Sequence, residues 1–159
     1  MPDCARDIMV RDFDSINENA PVEQAITKIL EGRLRPTGYK TVSLMVTNDM
    51  QQLVGVVTLF DILYHLRPTF LNFGIDGEYV AWEGMLEPAV RELKGKQVKN
   101  IMSRGAVTAS PDDHVMALVD RMVKNKYRRL PVVDNGRLTG IVYVTDVFHY
   151  LFKNRNVNG

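Results

Sequence analysis

The chain has 159 residues, with 45% apolar and 25% charged side chains, ordinary globular values that exclude a disordered, collagen-like or disulfide-scaffold protein. Twenty Lys and Arg against 19 Asp and Glu leave a net charge of +1, which supplies no bulk attraction to nucleic acid or to an anionic membrane. The single cysteine, Cys4, forms no internal disulfide and fits a reducing compartment. The opening run Met1-Pro2-Asp3-Cys4-Ala5-Arg6-Asp7 lacks the apolar core of a signal peptide. The longest apolar stretch, around 53–60, is far short of the roughly 18 residues of a membrane helix. A soluble cytoplasmic chain without a membrane or nucleic-acid partner is expected.

Read in chain order, the sequence is written twice. Ile8-Met9 and Arg11 return as Ile101-Met102 and Arg104, and Val22 falls on Val115 at the same offset. Further on the offset shortens. Leu44-Met45-Val46 meets Leu130-Pro131-Val132, Leu53-Val54-Gly55-Val56-Val57 meets Leu138-Thr139-Gly140-Ile141-Val142, and Asp61 meets Asp146. The first repeat therefore carries eight extra residues, seven of them around Gly32-Arg33-Leu34-Arg35-Pro36-Thr37-Gly38 and one in the turn at 48–52. The expected division is repeat one over 1–67, a connection over 68–97 and repeat two over 98–159. Each repeat alone buries too little surface to be stable, so a shared core is expected.

In the connection, Phe70-Leu71-Asn72-Phe73-Gly74-Ile75-Asp76-Gly77 reads as an irregular loop. Trp82, Met85, Leu86, Ala89, Val90 and Leu93 then keep helical spacing, with Pro88 kinking that helix or starting another. This stripe is expected to pack on its own domain rather than dock a partner. Repeat two shows the elements most clearly. A short first strand is expected near Val107. Ser110-Pro111-Asp112-Asp113 reads as a helix start, followed by Val115, Leu118, Val119 and Met122 at helical spacing. Residues 130–133 and 138–143 read as strands joined by the turn Asp134-Asn135-Gly136-Arg137. A closing helix follows over 146–152. Each repeat is thus strand, helix, strand, strand, helix.

Chemistry concentrates at two strand-to-helix junctions, Gly55-Val56-Val57-Thr58-Leu59-Phe60-Asp61 and Gly140-Ile141-Val142-Tyr143-Val144-Thr145-Asp146. Each combines a hydroxyl, a carboxylate and the free N–H groups of a helix start, which suit anions and ribose hydroxyls. Helix capping is the favoured explanation of one such junction alone, and the second copy shifts the balance toward a ligand. Catalysis finds little support. His65, His114 and His149 stand apart, Cys4 sits near a terminus, and neither a Walker loop nor a Gly-x-Ser-x-Gly elbow occurs. The eight methionines read as core filler.

With Ile-Met before each first strand, Tyr127-Arg128-Arg129-Leu130-Pro131-Val132-Val133-Asp134, and both Gly-to-Asp segments, the chain resembles a tandem pair of CBS domains, the Bateman module, over about 5–67 and 98–152. The resemblance implies an α+β fold of two βαββα units packed sheet to sheet about a pseudo-twofold axis. It also implies two clefts that commonly hold adenosine nucleotides. In the family's junction the Asp binds ribose and two Ser or Thr hydroxyls help bind phosphate. Repeat one keeps Thr58 and Asp61 but has Phe60 at the second hydroxyl. Repeat two keeps Thr145 and Asp146 but has Tyr143 at the first.

The resemblance further implies crossed clefts. Thr58 and Asp61 would face 105–109, with Val107 and Thr108 flanking the base. Asp146 would face 12–16, where Asp12 and Asp14 should repel phosphate, so the Asp61 cleft is favoured. Arg128 and Arg129 adjoin a strand and should point to opposite faces, Arg128 being the favoured phosphate ligand. Repeat one has Val42 and Ser43 there, and Arg33, Arg35 or Lys40 are its substitute cations. The expected function is regulatory sensing, with AMP, ADP, ATP, S-adenosylmethionine, a dinucleotide or a cation bridge all open as ligand and no cofactor required. A homodimer through Ile62, Leu63, Val147 and Phe148 and a separate effector protein are expected. The alternatives are a structural dimerisation module with empty clefts and, less favoured, an enzyme acting on the nucleotide.

Overall fold

The computed structural model describes residues 2–35, 37–40, 42–74 and 76–153. Met1, Pro36, Thr41, Ile75 and residues 154–159, which the expected domains and loops include, lie outside the described residues. Repeat one runs α1 (Ala5–Ile8), β1 (Ser15–Asn17), α2 (Val22–Glu31), β2 (Ser43–Thr47), β3 (Leu53–Thr58) and α3 (Leu59–Leu66). The connection holds two 3-10 turns, Thr69–Phe73 and Gly77–Tyr79, and α4 (Leu86–Gly95). Repeat two opens on a 3-10 turn at Val98–Asn100 and continues through α5 (Val115–Asn125), β4 (Arg129–Asp134), β5 (Arg137–Tyr143) and α6 (Val144–Phe152).

The hairpins form where alternating apolar residues meet turn chemistry. Asn135 and Gly136 take φ of 51° and 81°, the left-handed pair that a two-residue hairpin needs. In repeat one β1 runs parallel to β2, and β2 antiparallel to β3, with Ser43 opposite Thr58. In repeat two Arg129 stands opposite Tyr143. The strand expected near Val107 is absent. Ala109 instead makes a single parallel bridge to Val132, because Gly105 turns the chain through φ 68° and 110–113 turns it away again. The helix expected from Ser110 begins only at Val115, capped by His114 Nδ1, which accepts from the Met116 N–H at 3.0 Å. Residues 110–113 close a turn in which Asp113 Oδ2 accepts from the Ser110 N–H at 2.9 Å. Their backbone is also committed elsewhere: Asp113 O and Pro111 O accept from Ala5 and Arg6, and the Val115 N–H donates to Asp3 O. Pro88 lies in the first turn of α4, where no intrahelical N–H is required. Of the apolar stripe there, Leu93 is buried on α2 and α3 while Trp82 and Leu86 remain exposed.

The repeats interlock. Ala5, ahead of repeat one, is buried in the core of repeat two with Leu118, Leu130 and Val142. Val98, Ile101 and Met102, ahead of repeat two, are buried in the core of repeat one with Val22, Leu44 and Val57. A third cluster, Met45, Val56, Ile141 and Tyr143, packs one sheet on the other. The crossing explains the recurring Met and Gly. A methyl group at Gly55 would lie 2.7 Å from Met102 Sδ, and one at Gly140 would lie 2.8 Å from Met9 Sδ. Each Met occupies the space that a side chain on the other repeat's strand would need.

Candidate functional site

At the first junction Thr58 caps α3 and Asp61 completes a capping box. Asp61 Oδ2 accepts from the Thr58 N–H at 2.8 Å and the Thr58 hydroxyl at 3.2 Å, and Thr58 Oγ1 accepts from the Asp61 N–H at 3.3 Å. Asp61 Oδ1 accepts from Ser103 Oγ at 3.0 Å, so the junction faces the segment leading into the other repeat. Asp61 is half-buried and Phe60, beside it, points into solvent. Thr108 lines a pocket of about 480 Å³ with Gln52, Gly55, Gly105 and Gly136.

The second junction is built differently. Tyr143 precedes α6 without capping it, and Asp146 is only 7% exposed. Both carboxylate oxygens of Asp146 are taken by the extra residues of repeat one. Arg35 Nη1 donates to Oδ2 at 3.1 Å and Thr37 Oγ1 to Oδ1 at 3.0 Å, while Arg35 Nη2 reaches Thr145 Oγ1 at 3.4 Å. The Arg35 guanidinium also lies over the Tyr143 ring, 3.8 Å from its centroid. Beside this pair a cleft of about 960 Å³ opens between Met9, Asp12, Leu34, His149 and Lys153. Asp12 and Asp14 do not present bare charge to it. Arg33 bonds both, at 2.7 and 3.0 Å, and the Asp14 hydrogen bond and charge raise its guanidinium further above the ordinary value. Arg33 and Arg35, two of the substitute cations expected for the place of Val42 and Ser43, thus lie on the Asp146 side.

Arg128 and Arg129 point apart, and the inward one is Arg129. Arg128 is exposed, whereas Arg129 turns toward the space between the sheets. Burial lowers the pKa of the Arg129 guanidinium, Arg128 and Arg35 push the same way, and Tyr143 and Asp61 oppose them. Burial raises the pKa of the Tyr143 phenol, against the pull of Arg35 and Arg129. Ser43 pulls slightly with them, yet neither hydroxyl closes a hydrogen bond of ordinary geometry. Arg129 Nε, Tyr143 Oη and Ser43 Oγ are all buried without a partner among the described residues. A half-buried cation with an unused, buried donor, near Asp61 and Tyr143, is chemically suited to an anion.

Sequence reasoning missed Ser103 and Thr37 altogether and did not say which cleft Arg35 serves. The signal available was the eight-residue excess, which carries two cations, Arg33 and Arg35, and has no counterpart in repeat two. The histidines take separate places: His114 caps α5, His149 packs edge-on to Tyr39 with centroids 5.8 Å apart, and burial lowers the pKa of His65. Among the described residues no group of three His, Cys, Asp or Glu is placed to hold a metal ion. No described helix is long and apolar enough to cross a membrane.

The family model for the CBS domain matches residues 5–68 and again 98–153. The chain belongs to the CBS domain family. It is 25% identical over 92% of its length to the uncharacterized protein MJ1225 of Methanocaldococcus jannaschii. The crystal structure of MJ1225 superposes with a TM-score of 0.73 over 94% of this chain and 48% of that one. The structure of CBSX2 in complex with AMP matches with a TM-score of 0.70 at 23% identity, over 96% of this chain and 99% of that one. The CBS domain pair of MJ0100, in complex with 5′-methylthioadenosine and S-adenosyl-L-methionine, matches with a TM-score of 0.65 at 20% identity, over 96% and 98%. The chain spans less than half the length of the curated relatives it matches first. Within the CBS pair the inter-repeat bridges Val10 to Ile141 and Val56 to Ser103 accompany the contact of Ser103 with Asp61 at one junction and those of Arg35 and Thr37 with Asp146 at the other.

Proposed function

We propose that this CBS pair is a regulatory module that senses an adenosine-containing nucleotide in the Asp61 cleft. The observation that carries the reading is Arg129, a half-buried guanidinium whose Nε is buried without a partner among the described residues and which lies within electrostatic reach of Asp61. In this reading Asp61 exchanges its Thr58 and Ser103 hydroxyl bonds for those of a ribose, and Arg129 takes the phosphate. Binding makes and breaks no bond. A ligand held by both repeats favours one relative arrangement of the sheets, and an effector protein reads the shift in population. Same-fold proteins bound to AMP and to S-adenosylmethionine support the ligand class. AMP, ADP, ATP and S-adenosylmethionine are therefore the ligands to try. At about 100 times Kd, linkage supplies about 2.7 kcal/mol. For a chain of this size that raises Tm by about 5–10 °C. Melting curves unchanged by all four ligands would overturn the reading.

The structural alternative, a dimerisation module with empty clefts, draws on the fact that both Asp61 oxygens already have internal partners. Dimerisation belongs to either reading. Val147 is buried and Ile62 packs on the core of its own repeat, so these two serve the fold. Leu63 and Phe148 point outward, joined by Phe60, Tyr64, Val144 and Phe152 on the same two helices. A C2 pair burying this face is proposed. Sedimentation at tens of micromolar is expected to give a dimer mass, and Phe148→Asp is expected to give a monomer.

A further inference from the structure

We infer that the Asp146 cleft carries its own occupant: Arg35 and Thr37 stand where a ligand's hydroxyls would bond, so one chain takes up one nucleotide tightly and the second cleft accepts one only when Arg35 leaves. This rests on the nucleotide reading above. The two junctions are related by the internal repeat, yet their carboxylates are held in opposite ways. Among the described residues, half-buried Asp61 is hydrogen-bonded by the Thr58 and Ser103 hydroxyls and the Thr58 N–H, and a ribose diol replaces the hydroxyls like for like. Asp146 is 7% exposed, and its chief partner is a guanidinium that is itself 8% exposed. Removing that partner strips a charge from a carboxylate and from the face of Tyr143 together.

The segment is built to present Arg35. The Arg35 N–H donates to Tyr39 O at 2.9 Å, the Gly38 N–H donates to Arg35 O at 2.9 Å, and Leu34 bridges Lys40. Two residues earlier, Arg33 fastens the same segment to Asp12 and Asp14. The closed turn thus has two guanidinium anchors on the far side of the cleft, although a cleft of about 960 Å³ lies beside them. Repeat two lacks these extra residues, and among the described residues no guanidinium hydrogen-bonds Asp61. When the competent state is only a fraction of the population, apparent affinity falls by that fraction. A charge-assisted contact of this kind makes the second cleft weaker by about 10- to 100-fold.

Calorimetric titration of the full chain with AMP, ADP and ATP tests this. Wild type is expected to bind one equivalent tightly. Arg35→Ala is expected to bind a second about 10- to 100-fold more tightly than wild type does. Arg35→Met keeps an aliphatic stem over Tyr143 and serves the same purpose if the alanine variant does not fold. Adding Asp146→Ala to Arg35→Met should abolish the gained site. Two tight equivalents in wild type, or a single unchanged equivalent in every variant, would overturn the inference and leave the nucleotide reading standing. Uptake by Arg35→Met alone would support the inference and move the ligand away from Asp61. No uptake by any variant would overturn both.

Discussion

Replacing Ile101 by alanine is expected to lower the unfolding free energy by about 2–5 kcal/mol, the usual cost of emptying a fully buried branched aliphatic site. For a chain of this size that lowers Tm by about 5–15 °C. The prediction is specific in where the damage falls. Ile101 belongs to the second repeat by sequence but is 2% exposed inside the core of the first, against Ile16, Leu44 and Val57. Its vacated volume therefore lies under β2 and β3. The second repeat should lose stability with the first, because Ala5 ties β5 and α5 to the start of the chain and Val56 pairs with Ser103. Hydrogen exchange checks this: amides of both hairpins should lose protection by similar factors. Full protection of β4 and β5 alongside loss in β2 and β3 would show that the repeats unfold separately.

The second large effect concerns binding. Asp61→Ala is expected to weaken adenosine and its phosphates alike, since it removes the ribose acceptor. Arg129→Ala is expected to weaken AMP and ATP while sparing adenosine. Each change removes a charge-assisted contact of about 1.5–3 kcal/mol, or roughly ten- to a hundredfold in affinity. Arg128→Ala, at an exposed guanidinium, should leave affinity nearly unchanged. Calorimetry with adenosine, AMP and ATP on the three variants separates these outcomes. A loss confined to Arg128→Ala would transfer the phosphate role to the outer residue and dismiss the inner one.

Much of the frame was legible because it depends on local chemistry repeated twice. Asn135-Gly136 specifies its turn, and the apolar runs on either side specify strands. Gly55 and Gly140 recur as a pair in the sequence, while the methionine that approaches each from the other repeat is seen only in the fold. The errors arose where a distant partner decides. Ser110-Pro111-Asp112-Asp113 is a sound helix start taken alone, but its backbone pairs with Asp3, Ala5 and Arg6 instead. Period-two alternation said correctly that Arg128 and Arg129 diverge. Which of them turns inward is set by which sheet face packs on the first repeat, through Met45, Val56 and Ile141, and no local pattern holds that information. The seat of Arg35 depends on a carboxylate 111 positions away in sequence.

The interlocking also sets the order in which the chain becomes a protein as it leaves the ribosome. Ala5 and Val10 emerge well before their docking partners on α5 and β5, which follow more than a hundred residues later. At synthesis rates of about 5–20 residues per second, those apolar side chains wait on the order of ten seconds before they are covered. The first repeat cannot finish either, since Leu93, Val98 and Ile101 complete its core. Neither half is a folding unit that its own translation completes. The nascent chain stays open to chaperones until β5 is released, and contacts of this sequence separation place its folding toward the slow end for its size.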